Sequence, residues 1–186
     1  MAVKKIILPL TEENIQDLEA GDRVLLTGDV YAARDAAHKR LMELIEKKEE
    51  LLIELQGEVI YYVGPTPAKP GQVVGSAGPT TSGRMDKYTP TLLSLGLKGM
   101  IGKGYRNEPV KKAIQEYNAV YFAAVGGSGA LLSKTIQADE VVAYEDLGPE
   151  AIRRLTIKDF PVTVINDCQG NDWYEQGTEA YRQGGK

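Results

Sequence analysis

Short apolar runs alternate along the chain with segments whose hydrophobic residues recur at helical spacing. The runs at residues 3–8 and 119–125 are brief and rich in β-branched and aromatic side chains, which is typical of buried strands. Between residues 30 and 50, by contrast, apolar residues recur on one face of a helix and charged residues cover the other. This alternation predicts an α/β domain whose central sheet is substantially parallel and is flanked by helices.

Capping residues mark where several of the predicted helices begin. Thr11 opens a short helix through a capping-box pattern, and Asn107 is a second N-cap. Thr89 is followed by Pro90, and proline is favoured at the first helical position. Further helices are predicted at residue 130 and near residue 149, and further strands at residues 23–26, 59–63, 97–101, 140–144 and 162–165.

The composition is that of a folded, soluble domain. The chain has 186 residues, of which 42% are hydrophobic and 26% are charged, so a single domain over residues 1–186 is expected. The chain turns polar after Asn166 and ends in two glycines and a lysine, which predicts a frayed tail from about residue 180. The first apolar run is too short for a signal peptide or a membrane span, so a cytoplasmic location is expected.

Charge and cysteine content exclude several classes of function. The net charge of -4 gives no general attraction for nucleic acid or a membrane surface, so an anionic ligand must be captured locally. The single cysteine, Cys168, excludes an internal disulfide and a self-contained iron–sulfur site, which normally needs several thiolates. Cys168 is interpreted as a partly buried thiol, because no histidine other than His38 exists to activate it.

A long loop interrupts the alternation of strands and helices. Residues 64–83 contain five glycines and four prolines and show no usable periodicity. A loop of this length without secondary structure is usually functional in a compact domain. Three hydroxyl groups at residues 80–82 and the guanidinium of Arg84 could hold one carboxylate through several donors. The alternative is that the hydroxyls only satisfy a tight turn and that Arg84 pairs with Asp86.

Two further cations directly follow predicted strands, at the edge of the sheet where ligands of open α/β folds bind. Arg34 lies in the first turn of the long helix, where free backbone N–H groups also attract an anion, and Lys103 sits between two glycines. The alternatives are an intrahelical pair of Arg34 with Asp35 and a solvated turn lysine at position 103. His38, one turn beyond Arg34, could join a proton relay or serve only as a supporting residue.

Four motifs occur together in the sequence: residues 33–40 (ARDAAHKR), 78–86 (GPTTSGRMD), 101–104 (IGKG) and 170–172 (GND). This combination resembles the β subunit, or C-terminal domain, of class I fumarate hydratases and L-tartrate dehydratases. The resemblance extends over nearly the whole chain, although Ser82 stands where alanine is common in the family. The motifs are specific for this iron–sulfur hydro-lyase family but do not separate fumarate from tartrate as the substrate.

The resemblance implies a three-layer β/β/α swivelling domain that is active as a hydro-lyase only with a partner α subunit. That partner is expected to hold a four-iron four-sulfur cluster, so no metal ligand is expected in this chain, and the αβ pairs are expected to form a higher oligomer. Thr80 falls where the family places its proposed catalytic base. Arg34, Arg84 and Lys103 fall where the family binds the carboxylates of a small dicarboxylic acid. The alternative outside the enzymes is a stand-alone dicarboxylate-binding domain.

Overall fold

The computed structural model describes residues 2–125 and 127–184. It contains one seven-stranded mixed sheet. The strands are β1 (Lys4–Ile7), β2 (Arg23–Ala32), β3 (Val59–Tyr61), β4 (Gly99–Gly102), β5 (Val120–Ala123), β6 (Ile136–Ala143) and β7 (Ile152–Asn166). The α-helices are α1 (Glu12–Gln16), α2 (Asp35–Glu46), α3 (Thr89–Ser94), α4 (Glu108–Glu116), α5 (Gly129–Leu132) and α6 (Trp173–Gly184).

The first five strands pair in parallel with their neighbours in the order β1-β2-β3-β4-β5. Strand β7 runs antiparallel to both β2 and β5. Strand β6 pairs antiparallel with the first part of β7, from Ile152 to Ile157. Because β7 joins β2 to β5, the strands β2, β3, β4, β5 and β7 form a closed ring. The predicted α/β class is confirmed, but the sheet is mixed: strands β1 to β5 are parallel, whereas β6 and β7 are antiparallel to their neighbours. The closure of the ring is an addition that the sequence pattern did not indicate.

Buried side chains alternate between the two faces of the sheet along ring strands β3, β4 and β5. In β3, Val59 and Tyr61 belong to a cluster that joins the ring strands internally, whereas Ile60 belongs to a second cluster on the other face. The second cluster includes side chains of α2, α3 and α4 such as Leu41 and Ile114. Each fully buried side chain of this size contributes about 1.5–3 kcal/mol, and a slip of one residue would exchange the two faces. Burial therefore fixes the register.

Most of the predicted helix starts are observed. Thr11 and Asn14 form a reciprocal capping box, and the Asn107 side chain accepts a hydrogen bond from the Val110 N–H across 3.0 Å. The helix predicted from Thr89 begins there, but Tyr88 is the N-cap and the Thr89 hydroxyl donates to the Met85 carbonyl instead. The long helix is α2, and it is shorter than predicted because residues 30–32 belong to β2.

The C-terminal third differs from the sequence-based expectation. The helix predicted near Pro149 is wrong: only a 3-10 turn, Glu145–Glu150, precedes β7. Along β7, residues such as Leu155, Ile157 and Phe160 are buried with intervening exposed positions, and long-range pairing with β2 holds this segment extended. Helix α6 covers most of the expected frayed tail, while Gly185 and Lys186 lie outside the described residues. No helix in the described ranges is both long and apolar enough to cross a bilayer.

Candidate functional site

The candidate residues gather where parallel strands β2, β3 and β4 end. Arg34 is the N-cap of α2, two residues after β2, and Lys103 directly follows β4. The long loop leaves from β3, the strand between them. Since the carboxyl ends of adjacent parallel strands lie side by side, this topology brings the predicted residues to one edge of the sheet.

The end of the long loop returns to this edge and pairs with the backbone beyond β4. The Thr80 N–H donates to the Tyr62 carbonyl across 2.7 Å, and the Lys103 N–H donates to the Thr80 carbonyl across 3.3 Å. The Ser82 N–H then donates to the Lys103 carbonyl across 2.9 Å. These bonds place Thr80 and Lys103 next to each other in the backbone. The loop itself agrees with the sequence analysis, and its pairing with Lys103 is seen only in the structure.

Close packing explains the glycine that precedes Lys103. A Cβ atom on Gly102 would lie 1.9 Å from the Ser82 Oγ and 2.9 Å from a ring carbon of Tyr62. Ser82 itself is fully buried, and its hydroxyl lies 2.9 Å from the Tyr121 hydroxyl, which donates to the Gly104 carbonyl. Burial raises the pKa of Tyr121, so this phenol stays protonated and can hold the loop from below. Ser82 thus contributes a hydrogen bond that an alanine could not make.

Asp35 joins the two arginines of the site. The Arg84 Nε donates to Asp35 Oδ1 across 2.9 Å, and the Arg84 Nη2 lies 2.8 Å from Asp35 Oδ2. The Arg34 Nε lies 3.6 Å from the same Asp35 Oδ2 and 3.2 Å from Glu150 Oε1. The alternative pairing of Arg84 with Asp86 is therefore wrong, whereas the pairing of Arg34 with Asp35 is present. Both arginines face one carboxylate.

Lys103 and Thr80 make fewer side-chain contacts. Lys103 is exposed, and none of the ion pairs in the described part of the chain involves its ammonium group. Thr80 is half-buried, and the described residues provide no hydrogen-bond partner for its hydroxyl. A lysine and a hydroxyl with these surroundings remain available to a ligand at the edge where the two arginines lie.

A buried arginine behind the site was missed by sequence reasoning. The side chain of Arg106 is fully buried, and its Nε donates to Asp86 Oδ1 across 2.6 Å while its Nη2 donates to the Thr89 hydroxyl across 2.7 Å. Asp86 Oδ2 accepts from the Asn107 N–H across 2.8 Å, and the Arg106 guanidinium lies 4.9 Å from the Tyr121 ring centroid. This network ties the segment after Arg84 to the segment after Lys103.

Comparison with known proteins places this arrangement in a family. The family model described as "Fumarase C-terminus" matches residues 2–177. The chain belongs to the fumarase C-terminal family. The anaerobic class I fumarate hydratase of Escherichia coli (strain K12) is 40% identical over 156 residues, which cover 83% of this chain and 28% of that protein. The aerobic class I fumarate hydratase of Salmonella typhimurium is 36% identical over 172 residues, covering 90% of this chain and 30% of that protein.

One relative of this fumarase C-terminal domain has a similar length. A Methanocaldococcus jannaschii protein named as an L(+)-tartrate dehydratase subunit beta is 36% identical over 173 residues, which cover 90% of this chain and 89% of that protein. The fumarate hydratases are much longer, and this chain spans less than a third of their length. The family resemblance inferred from the four motifs is confirmed.

His38 supports the site of this fumarase domain from the interior. It is buried, and its Nδ1 lies 2.8 Å from the Arg34 carbonyl, so Nδ1 carries the proton of the neutral ring. The ring packs against Tyr62 and Tyr88, with centroids at 5.5 Å and 5.8 Å. Burial lowers the pKa of His38 to about 4 despite the hydrogen bond to Arg34. A histidine that is neutral at physiological pH and donates from Nδ1 holds the backbone carbonyl of Arg34 in place.

Cys168 behaves as the sequence indicated. It is partly buried, its sulfur donates to the Ile15 carbonyl across 3.7 Å, and burial raises the pKa of its thiol. A protonated thiol is a poor nucleophile and a poor metal ligand. Within residues 2–125 and 127–184, no group of three or more histidine, cysteine or acidic residues is arranged to hold a metal ion.

Proposed function

We propose that this chain is the β subunit of a class I fumarate hydratase, which hydrates fumarate reversibly to (S)-malate together with an iron–sulfur α subunit. The observation that carries the proposal is the convergence of Arg34, Arg84 and Lys103 with Thr80 at one edge of the sheet. Such a set of cations fits the two carboxylates of a small dicarboxylic acid. The names of the long relatives support fumarate as the substrate.

The arginines and the lysine act on the carboxylates of the substrate. Guanidinium groups bind carboxylates through two parallel N–H bonds, and Lys103 adds a compact positive charge. When a proton leaves the carbon next to a carboxylate, negative charge grows on that carboxylate in the transition state. Fixed cations are most effective there, because they stabilise the developing charge more than the bound substrate.

Thr80 is assigned the proton transfer at the substrate carbon. Its half-buried side chain and its backbone bonds to Tyr62 and Lys103 keep the hydroxyl beside the proposed carboxylate ligands. An isolated threonine hydroxyl is a very weak base, so the neighbouring group that accepts its proton must be supplied by the partner subunit. The assignment rests on the family motif at residues 78–86 and on this position.

The iron–sulfur cluster is assigned to the α subunit, because the residues of this chain do not fit it. Clusters of this type are held by several thiolates, whereas Cys168 is the only cysteine and is bonded to the Ile15 carbonyl. When bound in the partner, such a cluster supplies a Lewis acid. The tartrate dehydratase β subunit, which matches over 89% of its length, supports a separate α chain and makes tartrate the second candidate substrate.

We further propose that the fold is a three-layer β/β/α swivelling domain that packs on the partner, with αβ pairs in a higher oligomer. Side chains of α2, α3, α4 and α6 pack in one cluster on one face of the sheet, and the other cluster joins the ring strands internally. This separation supports two β layers and one helical layer in a single domain.

Reconstitution tests the proposal. The chain is mixed with its α subunit under anaerobic conditions with iron and sulfide, and hydration of fumarate and dehydration of malate and tartrate are measured. Activity that appears only with both chains is expected, with fumarate preferred over tartrate. Thr80→Ala should remove turnover while leaving malate binding. If the mixture stays inert but the chain alone binds malate by calorimetry, it is a binding domain instead, and near-normal turnover by Thr80→Ala overturns the role of that residue.

A further inference from the structure

We infer that Asp35 is a positioning residue that orients both arginines of the site toward the substrate. The effect of Asp35 on turnover rests on the proposed function, whereas its effect on the orientation of Arg84 rests on the geometry alone. Asp35 is the first residue of α2, and Arg84 lies 49 positions later at the end of the long loop. Their side chains nevertheless meet in a two-point contact.

The contact occupies one edge of the Arg84 guanidinium and leaves another free. Asp35 engages Nε and Nη2, at 2.9 Å and 2.8 Å. A guanidinium has five N–H donors in a fixed plane, so the edge formed by Nη1 and the outer hydrogen of Nη2 can still bind a second carboxylate with two bonds. Asp35 therefore fixes the plane of the guanidinium without blocking it.

The same carboxylate lies between two cations that would otherwise repel each other. Asp35 Oδ2 is buried, without an aligned hydrogen bond, and lies 3.6 Å from the Arg34 Nε and 2.8 Å from the Arg84 Nη2. Glu150 provides a second carboxylate for Arg34, with its Oε1 3.2 Å from the Arg34 Nε. The contacts of Arg34 with both carboxylates are made through Nε, on the side of the guanidinium nearest its own backbone. With Asp35 in place, two guanidinium groups can converge on one dicarboxylate.

Asp35 could instead act as a competitor that occupies the arginines until substrate displaces it. The two roles predict opposite effects of neutralisation. If Asp35 competes with the substrate, Asp35→Asn should make Arg84 more accessible and should lower KM. If Asp35 positions Arg84, the same substitution should leave the Arg84 side chain free to rotate. The entropy cost of ordering that side chain would then weaken substrate binding and transition-state stabilisation. The geometry favours positioning, because the contact uses only one edge of the guanidinium.

The test compares Asp35→Asn and Asp35→Glu with a matched control, a second carboxylate that pairs with an arginine of α2. Asp146→Asn removes the partner of Arg40, which also makes a two-point contact through Nη1 and Nη2. In the assembled enzyme, Asp35→Asn should lower kcat/KM about tenfold or more, with kcat carrying the larger part. Asp35→Glu keeps the charge and should recover part of the loss, whereas Asp146→Asn should change kcat/KM less than about twofold.

A second readout does not depend on activity. In the full chain, the Arg84 Nε–H signal is identified by nuclear magnetic resonance from its disappearance in Arg84→Lys, and its exchange with water is measured. Asp35→Asn should accelerate this exchange about tenfold or more, because a neutral amide oxygen accepts from Nε more weakly than a carboxylate does and the amide nitrogen cannot accept from Nη2. Unchanged exchange, unchanged kcat/KM in an active enzyme, or a lower KM overturns the inference. If the wild-type assembly hydrates no substrate, the proposed function fails, and the exchange measurement still decides whether Asp35 orients Arg84.

Discussion

Arg106 and Asp86 form a buried ion pair in which Nε donates to Oδ1 across 2.6 Å. The pair connects the end of the Thr80–Arg84 loop to the segment that follows Lys103. Arg106 also donates to the Thr89 hydroxyl, so α3 is held by the same guanidinium. The geometry of the site thus depends on a charge pair that is buried behind it.

Removing one member of this pair should destabilise the chain strongly. Arg106→Met leaves the Asp86 carboxylate buried without its partner, and losses of about 3–5 kcal/mol are typical of such changes. The double variant Arg106→Met/Asp86→Leu should recover part of the loss, because neither charge remains to be buried. Urea unfolding followed by circular dichroism measures both. A single variant as stable as wild type would show that the pair contributes nothing.

Arg84→Lys tests whether two-point geometry matters at the site. Lysine keeps the charge but cannot hold Asp35 through one edge and a substrate carboxylate through another. The kcat/KM of the assembled enzyme should fall about fivefold or more, which corresponds to a loss of more than ~1 kcal/mol of transition-state binding. The exposed Lys112→Arg serves as a control for a change between the two basic side chains. An unchanged kcat/KM in Arg84→Lys would remove the arginine from the proposed carboxylate site.

Much of the site could be predicted from local sequence, because its residues directly follow strands. Arg34 and Lys103 each lie a few residues beyond an apolar run, and position relative to a strand end is visible in the sequence. The length and the glycine and proline content of residues 64–83 predict a functional loop. Family motifs then singled out Thr80 among the three hydroxyls, a choice that spacing alone did not make.

The remainder depends on contacts between residues that are distant in sequence. The pairing of β7 with β2 turned a predicted helix into a long strand, and nothing in residues 149–155 indicates that partner. Arg106 follows a glycine–tyrosine pair in what reads as a polar turn, so the sequence carries no signal of its burial. The sequence shows Asp35 only as a neighbour of Arg34, because its contact with Arg84 spans 49 positions.

Gly102→Ala should distort the site through a defined clash. The new Cβ would lie 1.9 Å from the Oγ of Ser82, which is fully buried, so one of the two residues must shift within a packed interior. Loss of most hydratase activity is expected, together with a lower melting temperature. The double variant Ser82→Ala/Gly102→Ala should regain part of the activity and part of the melting temperature, because the serine oxygen is the nearest clashing atom. A double-mutant cycle with the two single variants measures this coupling.

A matched glycine in open space provides the control for that prediction. Gly177 lies within α6, and a Cβ atom there would have no neighbour within 4 Å. Gly177→Ala should therefore leave activity unchanged and stabilise the chain by up to ~1 kcal/mol, since alanine favours the helix. If Gly102→Ala were as harmless as Gly177→Ala, the close approach of Ser82 to Gly102 would be absent from the protein.

His38 should make folding stability depend on pH in a predictable direction. Burial lowers its pKa from 6.5 to about 4 in the folded chain, and Arg106 opposes its charge while Asp35 favours it. Between these pH values the unfolded chain binds more protons, so stability falls as pH decreases below 6.5. The contribution between pH 7 and pH 5 is about 2 kcal/mol. His38→Gln should lose this part of the slope in urea unfolding, since His38 is the only histidine. Parallel curves for both proteins would mean that His38 is protonated as easily in the folded chain as in the unfolded one.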